Sequence, residues 1–253
     1  KQTFHLINQI DKENKLNNKI RGSAAIILVG LSYKSEKNLT IKGLEYLKKI
    51  IGYSIDNNGF PKSRNIRSSV FFLKYLILIR EWFKESQSET PNFIDESIFN
   101  LGKSYAFFWQ NLKFDPLFNG NNNSNNQEFD IYLKRLGYSF KYNDHEFSNY
   151  VSLKDKKINL IMDVGSSPNK KFSEEYQAGA LSFEFVSNGK KIFTNSGYYD
   201  EGNFKFKEVS RSSALHNVLV VDDNSSCKFI KNSNSKFEIK DGLKIEKKNI
   251  SFE

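Results

Sequence analysis

Apolar residues in the first hundred positions recur at three- and four-residue steps, whereas beyond Gly137 they recur at every second position. The first spacing lines one stripe of a helix and the second one face of a strand, so the chain changes from helix-forming to sheet-forming along its length. Phe4, Ile7 and Ile10 open the helical part. A polar loop rich in Lys and Asn follows, and the small, strongly apolar run 24–31 (AAIILVGL) predicts a second helix. Leu39, Ile41, Leu44, Leu47, Ile50 and Ile51 fall on one face of an amphipathic helix over 39–53. Asp56-Asn57-Asn58-Gly59 breaks the pattern, Pro61 keeps the chain extended, and a loop carries Ser63-Arg64-Asn65. Ser68 or Ser69 is placed to cap the next helix, and Pro91 to start another that reaches Trp109 and Leu112. Four or five helices in succession, with connections long enough to turn back, predict an antiparallel helical array.

The segment 119–126 (NGNNNSNN) offers nothing to bury and predicts a solvated loop tip. Alternation then predicts short strands over 157–164, 181–186, 192–195, 218–222 and 237–245. Asn188-Gly189 is a two-residue hairpin signal, because both positions of a type I′ turn need positive φ, and Asp241-Gly242 repeats it. Strands at this spacing, uninterrupted by helices, predict an antiparallel β-sandwich. The expected organisation is a helical domain over residues 1–140 and a β-sandwich over 141–253, switching between Gly137 and Val151. Lys1 stands where an initiator Met would be, and Ser251-Phe252-Glu253 still read as strand, so a segment of a longer chain is expected.

Composition changes this picture in few places. The formal net charge of +9 and pI of about 9.3 fit attraction to an anionic polymer, such as nucleic acid or an acidic polysaccharide. Heavy use of Lys, Asn, Ile and Phe throughout equally fits a base-composition bias of the gene, with the lysines scattered rather than gathered. Cys227 is the only cysteine, which excludes an intrachain disulfide and a cysteine metal cluster. The run 70–79 (VFFLKYLILI) is far too short to cross a bilayer. No phosphate loop, no dinucleotide fingerprint after a strand, no HExxH and no GxSxG is present, and nucleic-acid binding lacks any motif.

Of the three histidines, His5 and His145 lie in an amphipathic helix and a polar loop. His216 stands between Ala214-Leu215 and Asn217 ahead of an apolar run, with Arg211 five positions earlier. Such a His serves either as a structural hydrogen-bonding group or as an acid, base or ligand. Tyr176, Tyr198 and Tyr199 flank the central hairpin; a phenol acts as acid or base only where a cation or paired group stabilises its anion.

The run YQAGALSFEFVSNGKKIFTNSGYYD and the later RSSALHNVLVVDDNSSC resemble the β-sandwich of the heparinase II/III-like polysaccharide lyases, whose pattern is roughly His-Ala-Asp-x-x-Ser-Phe, an Asp-x-Gly-x-Tyr turn, then Ala-His-Asn and an apolar strand. DNNGFPKSRNIRSSVFFLKYLILIREW resembles that family's Asp-Gly-Gly-His-x-x-Arg-Ser/Asn-Pro loop and following helix. The resemblance implies a partial α/α toroid followed by an antiparallel β-sandwich, of bacterial type. It implies β-elimination on a uronic-acid-containing polysaccharide, a glycosaminoglycan or alginate. A catalytic set of His216, Arg64, Asn65, Tyr176 and Tyr198 is carried over, with Arg211, Asn217 and Gln177 contacting substrate. The Tyr expected after the helical-part loop falls at about Ser68. The family's zinc positions land on Gln177, Asn195 and His216, and its His-x-His-x-Asp segment on Glu175, Gln177 and Gly179, so neither a metal nor another cofactor is expected. The expected partner is an acidic polysaccharide, without nucleic acid or a membrane span, in a periplasm or cell envelope. The alternative is a glycan-binding or envelope protein that keeps the lyase fold without the chemistry.

Overall fold

The computed structural model describes residues 2–110, 112, 114–122, 126–199, 201–202, 204–232 and 236–246. Helices come first and antiparallel strands follow. Two compact units result, one of Lys1–Gly59 and Ser68–Lys103, the other of Phe60–Arg67 and Ser104–Glu253.

In the first unit, α1 (Gln2–Ile10), α2 (Leu16–Ser32) and α3 (Lys37–Ser54) bury Ile7, Ile10, Ile26 and Leu39 together, with Leu6, Val29 and Tyr46 around them. Gly43 lets α3 approach Ile27 of α2 so closely that a side chain there would collide with it. The second helix starts eight residues before the run 24–31, because Leu16 and Ile20 extend its apolar stripe while Asn17 and Arg21 face solvent. α4 (Ile66–Glu85) buries Phe72, Leu73, Leu76, Ile77, Ile79 and Phe83, and α5 (Asn92–Tyr105) buries Ile94, Ile98 and Leu101. Ser68 and Ser69 lie inside α4 rather than capping it. The cap is Asn65, whose Oδ1 accepts the Arg67 amide at 2.9 Å. Among the described residues no helix is long and apolar enough to cross a membrane.

In the second unit the chain leaves α5 through a π-helical turn, Ala106–Gln110, that buries Phe107, Phe108 and Trp109. Phe60, Phe107, Phe108, Phe118, Phe147 and Tyr150 meet mostly edge to face, at centroid separations of 4.9–6.3 Å. α6 (Gln127–Arg135) follows, tied back by the Tyr105 hydroxyl donating to Asp130 at 2.6 Å. A five-stranded antiparallel meander comes next: β1 (Glu146–Phe147), β2 (Tyr150–Lys154), β3 (Ile158–Asp163), β4 (Phe183–Ser187) and β5 (Lys190–Phe193). Asn188 and Gly189, at φ 49° and 75°, turn β4 into β5 as the sequence predicts. After the short α7 (Phe204–Val209), β6 (Lys228–Lys231) and β7 (Phe237–Asp241) form a separate two-stranded ribbon.

Three expectations are corrected. The run 119–126 is not a solvated tip where it is described: Asn119 and Asn121 are buried, because their amides bond to buried oxygens, and 123–125 lie outside the described residues. The run 218–222 is not a strand. It ends in a turn at Asp222 and Asp223, both at positive φ, and leaves Leu219 83% exposed. Asp241-Gly242 makes no hairpin among the described residues; the chain beyond it bonds instead to Ser166 and Ser167. The strand read at Ser251-Phe252-Glu253 lies outside the described residues.

Candidate functional site

The site is built from the second unit alone. Tyr150 opens β2 directly opposite Asp163, the last residue of β3, so the two stand side by side at one end of the sheet. Asp163 occupies the buried face that Ile161 shares, where alternation calls for an apolar residue. A carboxylate there requires a partner. Arg64 supplies it, donating to Oδ1 at 2.5 Å, with its guanidinium over the Tyr150 ring at 4.8 Å. The Gly165 amide donates to Oδ1 and the Asn119 amide to Oδ2, both at 2.9 Å. A side chain at Gly165 would strike the guanidinium. Arg64 itself sits at φ 61°, a left-handed conformation that an ordinary residue keeps only where its surroundings enforce it.

Burial is the largest influence and works against the Arg64 charge, but Asp163, Tyr150 and Tyr176 together outweigh it and hold the guanidinium more firmly protonated than usual. Burial also leaves the Asp163 carboxyl above its ordinary value, despite the pull of Arg64, the Gly165 amide and Asn119. The guanidinium expected to meet a substrate carboxylate is therefore already matched to an internal one.

Asn65 is buried next to this pair. Its Nδ2 donates to Oε2 of Glu175 at 2.5 Å, and its carboxamide packs on Gly120. From Glu175 onward, every second residue reaches a different part of the site. Gln177 is fully buried; its Oε1 accepts the Gly120 amide at 3.2 Å, and its Nε2 donates to the carbonyls of Gly197 at 3.0 Å and Ser210 at 2.7 Å. Gly179 lies against the His216 ring. His216 in turn bonds to the Ser210 backbone. A continuous chain of contacts thus runs from Asn65 through Gly120, Gln177 and Ser210 to His216.

The His216 Nε2 is buried and has no hydrogen-bond partner among the described residues. Burial lowers its pKa to about 4, with the Ser210 bond opposing the shift, so the imidazole is neutral at pH 7. Asn217 donates its amide to Asn195 Oδ1 at 3.0 Å and its side chain to the Phe183 carbonyl at 3.2 Å. Between about pH 6.5 and 4 the unfolded chain protonates at this position and the folded chain does not, so stability falls as pH falls through that window. The loss is at most ~3 kcal/mol from this group. Urea unfolding of His216→Gln at stepped pH is expected to lack this component.

The other candidates are taken up by packing. Tyr176 is buried with Ala178, Cys227 and Ile239, and burial pushes its phenol up; the same surroundings push the Cys227 thiol up to about 12. Arg211 is buried between Phe229 and Phe237, 4.1 and 5.1 Å from their ring centres. It donates to the carbonyls of Ser173 and Glu174, and burial lowers its pKa. Tyr198 is buried beside Arg211 and favours its charge, with Lys207 over the Tyr198 ring. Asp163, Asn119, Tyr150 and Glu184 were not singled out by sequence. For Asp163, Tyr150 and Glu184 the signal was a polar group on a buried strand face, whereas Asn119 lies in a loop and gave none. Glu184, buried on β4, accepts from the amides of Leu117 and Asn195 and the Thr194 hydroxyl.

The zinc that the resemblance brings with it does not fit. The Gln177 amide is spent on three backbone groups, Asn195 Oδ1 already accepts from Asn217, and neutral amides are poor zinc donors. Among the described residues no three His, Cys, Asp or Glu side chains gather.

Comparison with known proteins bears on the same resemblance. Residues 141–250 match the family model described as heparinase II/III-like, C-terminal. Over that segment the chain is similar to a heparinase II/III-like domain. A solved heparinase III shares 15% identity and a TM-score of 0.66, covering 85% of this chain and 41% of its own. The heparinase III BT4657 gene product aligns at 15% identity and TM-score 0.73, over 88% of this chain and 39% of its own. The heparan sulfate lyase HepC from Pedobacter heparinus aligns at 13% and 0.69, over 89% and 42%. At such identities the likeness is one of fold, a polysaccharide lyase fold of helices followed by antiparallel sheet, and the chain spans about two fifths of those proteins. No curated protein matches the sequence.

Proposed function

We propose that this chain belongs to the catalytic machinery of a polysaccharide lyase that cleaves an acidic, uronate-containing polysaccharide by β-elimination. The observation that carries this reading is the contact chain joining Asn65 through Gly120 to Gln177 and His216, the last two inside the segment that matches the heparinase II/III-like family. In such a reaction the C5–H bond breaks, its electron pair forms the C4–C5 double bond, and the C4–O bond leaves with its own pair to an oxygen that takes a proton. His216 is assigned the proton transfer, since a neutral imidazole with an unoccupied Nε2 accepts a proton at neutral pH. A bound uronate beside it raises its proton affinity from the low value set by burial. Asn65 is assigned the substrate carboxylate, as a directed amide donor. Arg64, held by Asp163, fixes the backbone next to Asn65. Gln177, Asn217, Arg211, Tyr176 and Tyr198 hold the frame.

His216→Ala is expected to lower the elimination rate by about 100-fold or more, with the melting temperature held within a few degrees. An unchanged rate in the folded variant removes His216 from the site.

A second reading has its own support. Arg64, Arg211, Gln177 and Tyr176 are all committed to the protein itself, as in a glycan-binding scaffold that keeps the fold without the reaction. That reading expects binding to acidic polysaccharide that weakens with salt and yields no unsaturated product.

A further inference from the structure

The carboxylate of Glu175 lies in an unusual place. The Asn65 carboxamide is 4% exposed, capped onto α4 through Oδ1 and backed by Gly120, where a side chain would run into it. Its Nδ2 is directed at Glu175, an exposed residue that accepts the hydrogen bond at 2.5 Å. An exposed acidic side chain therefore covers a buried amide donor that the cap and Gly120 hold in place. Charge-assisted hydrogen bonds of this kind are stronger than neutral ones, so a second carboxylate reaches this N–H only by displacing the first.

We propose that Glu175 is an internal competitor that occupies the Asn65 donor and sets the specificity of the site toward anionic sugars. The proposal rests on Asn65 being the carboxylate-recognising group of the reading above. A single acidic sugar faces both the displacement and the like charge of Glu175. A polymer that gains contacts elsewhere offsets both, so Glu175 selects for chains over short acids.

The test is calorimetric titration of the full chain with polyglucuronate and with the same polymer after reduction of its carboxyl groups. Glu175→Ala is expected to bind polyglucuronate about tenfold more tightly than wild type, with no gain for the reduced polymer. Glu175→Gln, which keeps the side-chain shape without the charge, is expected to gain less and guards against misfolding in the alanine variant. Adding Asn65→Ala is expected to abolish the gain. A gain that survives in the double variant assigns the effect to surface charge alone and overturns the proposal. No gain in Glu175→Ala, with binding weakened by Asn65→Ala alone, overturns it and leaves the function standing. Polyglucuronate affinity indifferent to Asn65 in every background removes both.

Discussion

Asp163→Ala is expected to destabilise the protein by about 3–5 kcal/mol, because it strands the Arg64 guanidinium without its counter-ion in a buried position. The side chains of both partners are almost fully buried, so water cannot take over the role of Asp163. The loss reaches further than one pair. Asn119 and the Gly165 amide lose an acceptor, and Arg64, held at positive φ, loses the contact that enforces its conformation. Urea unfolding is expected to show a lower midpoint at unchanged slope. A double variant, Asp163→Leu with Arg64→Met, is expected to regain much of the loss, since apolar replacement of a whole buried pair is often tolerated. It is not expected to regain activity, because the backbone next to Asn65 is then no longer fixed. If Asp163→Ala costs less than about 1 kcal/mol, the pair is not the tie that holds the 60–67 loop.

Gln177→Ala is expected to cost about 3 kcal/mol or more. It leaves the buried Gly120 amide without its partner, which costs roughly 1–3 kcal/mol, and takes one hydrogen bond each from the Gly197 and Ser210 carbonyls, which keep Ser196 and His216. In this chain one carboxamide joins three separate loops at the place where the family resemblance puts a metal ligand. The same substitution loosens the link between Asn65 and His216, so turnover is expected to fall more than stability alone explains. Measuring kcat on variant protein well below its unfolding temperature separates the two effects. A variant with normal melting and normal kcat contradicts the role given to Gln177.

The helices were legible because their signal is local. The apolar stripe of α3 and the turn chemistry of Asn188-Gly189 act within a few residues, and both appear where the pattern puts them. The run 218–222 misled for the opposite reason: its apolar side chains fit a strand, but no neighbouring strand pairs with it among the described residues and two aspartates turn the chain away. The candidate site was legible as residue types, through resemblance, but not as bonds. Arg64 meets Asp163 across 99 positions and Asn65 meets Glu175 across 110, separations at which no sequence periodicity speaks. Asn119 looked like part of a polar tract and proved to be a bonded core residue, because composition does not reveal which amide finds buried acceptors.

The most direct measurement is the ultraviolet absorbance of the full chain incubated with alginate, heparan sulfate and glucuronan, since elimination creates a conjugated, unsaturated uronate that hydrolysis does not. A rising absorbance on at least one of these polymers, abolished in His216→Ala, is the expected result. Folded wild-type protein that produces no such rise on any of them, while still binding them, contradicts it.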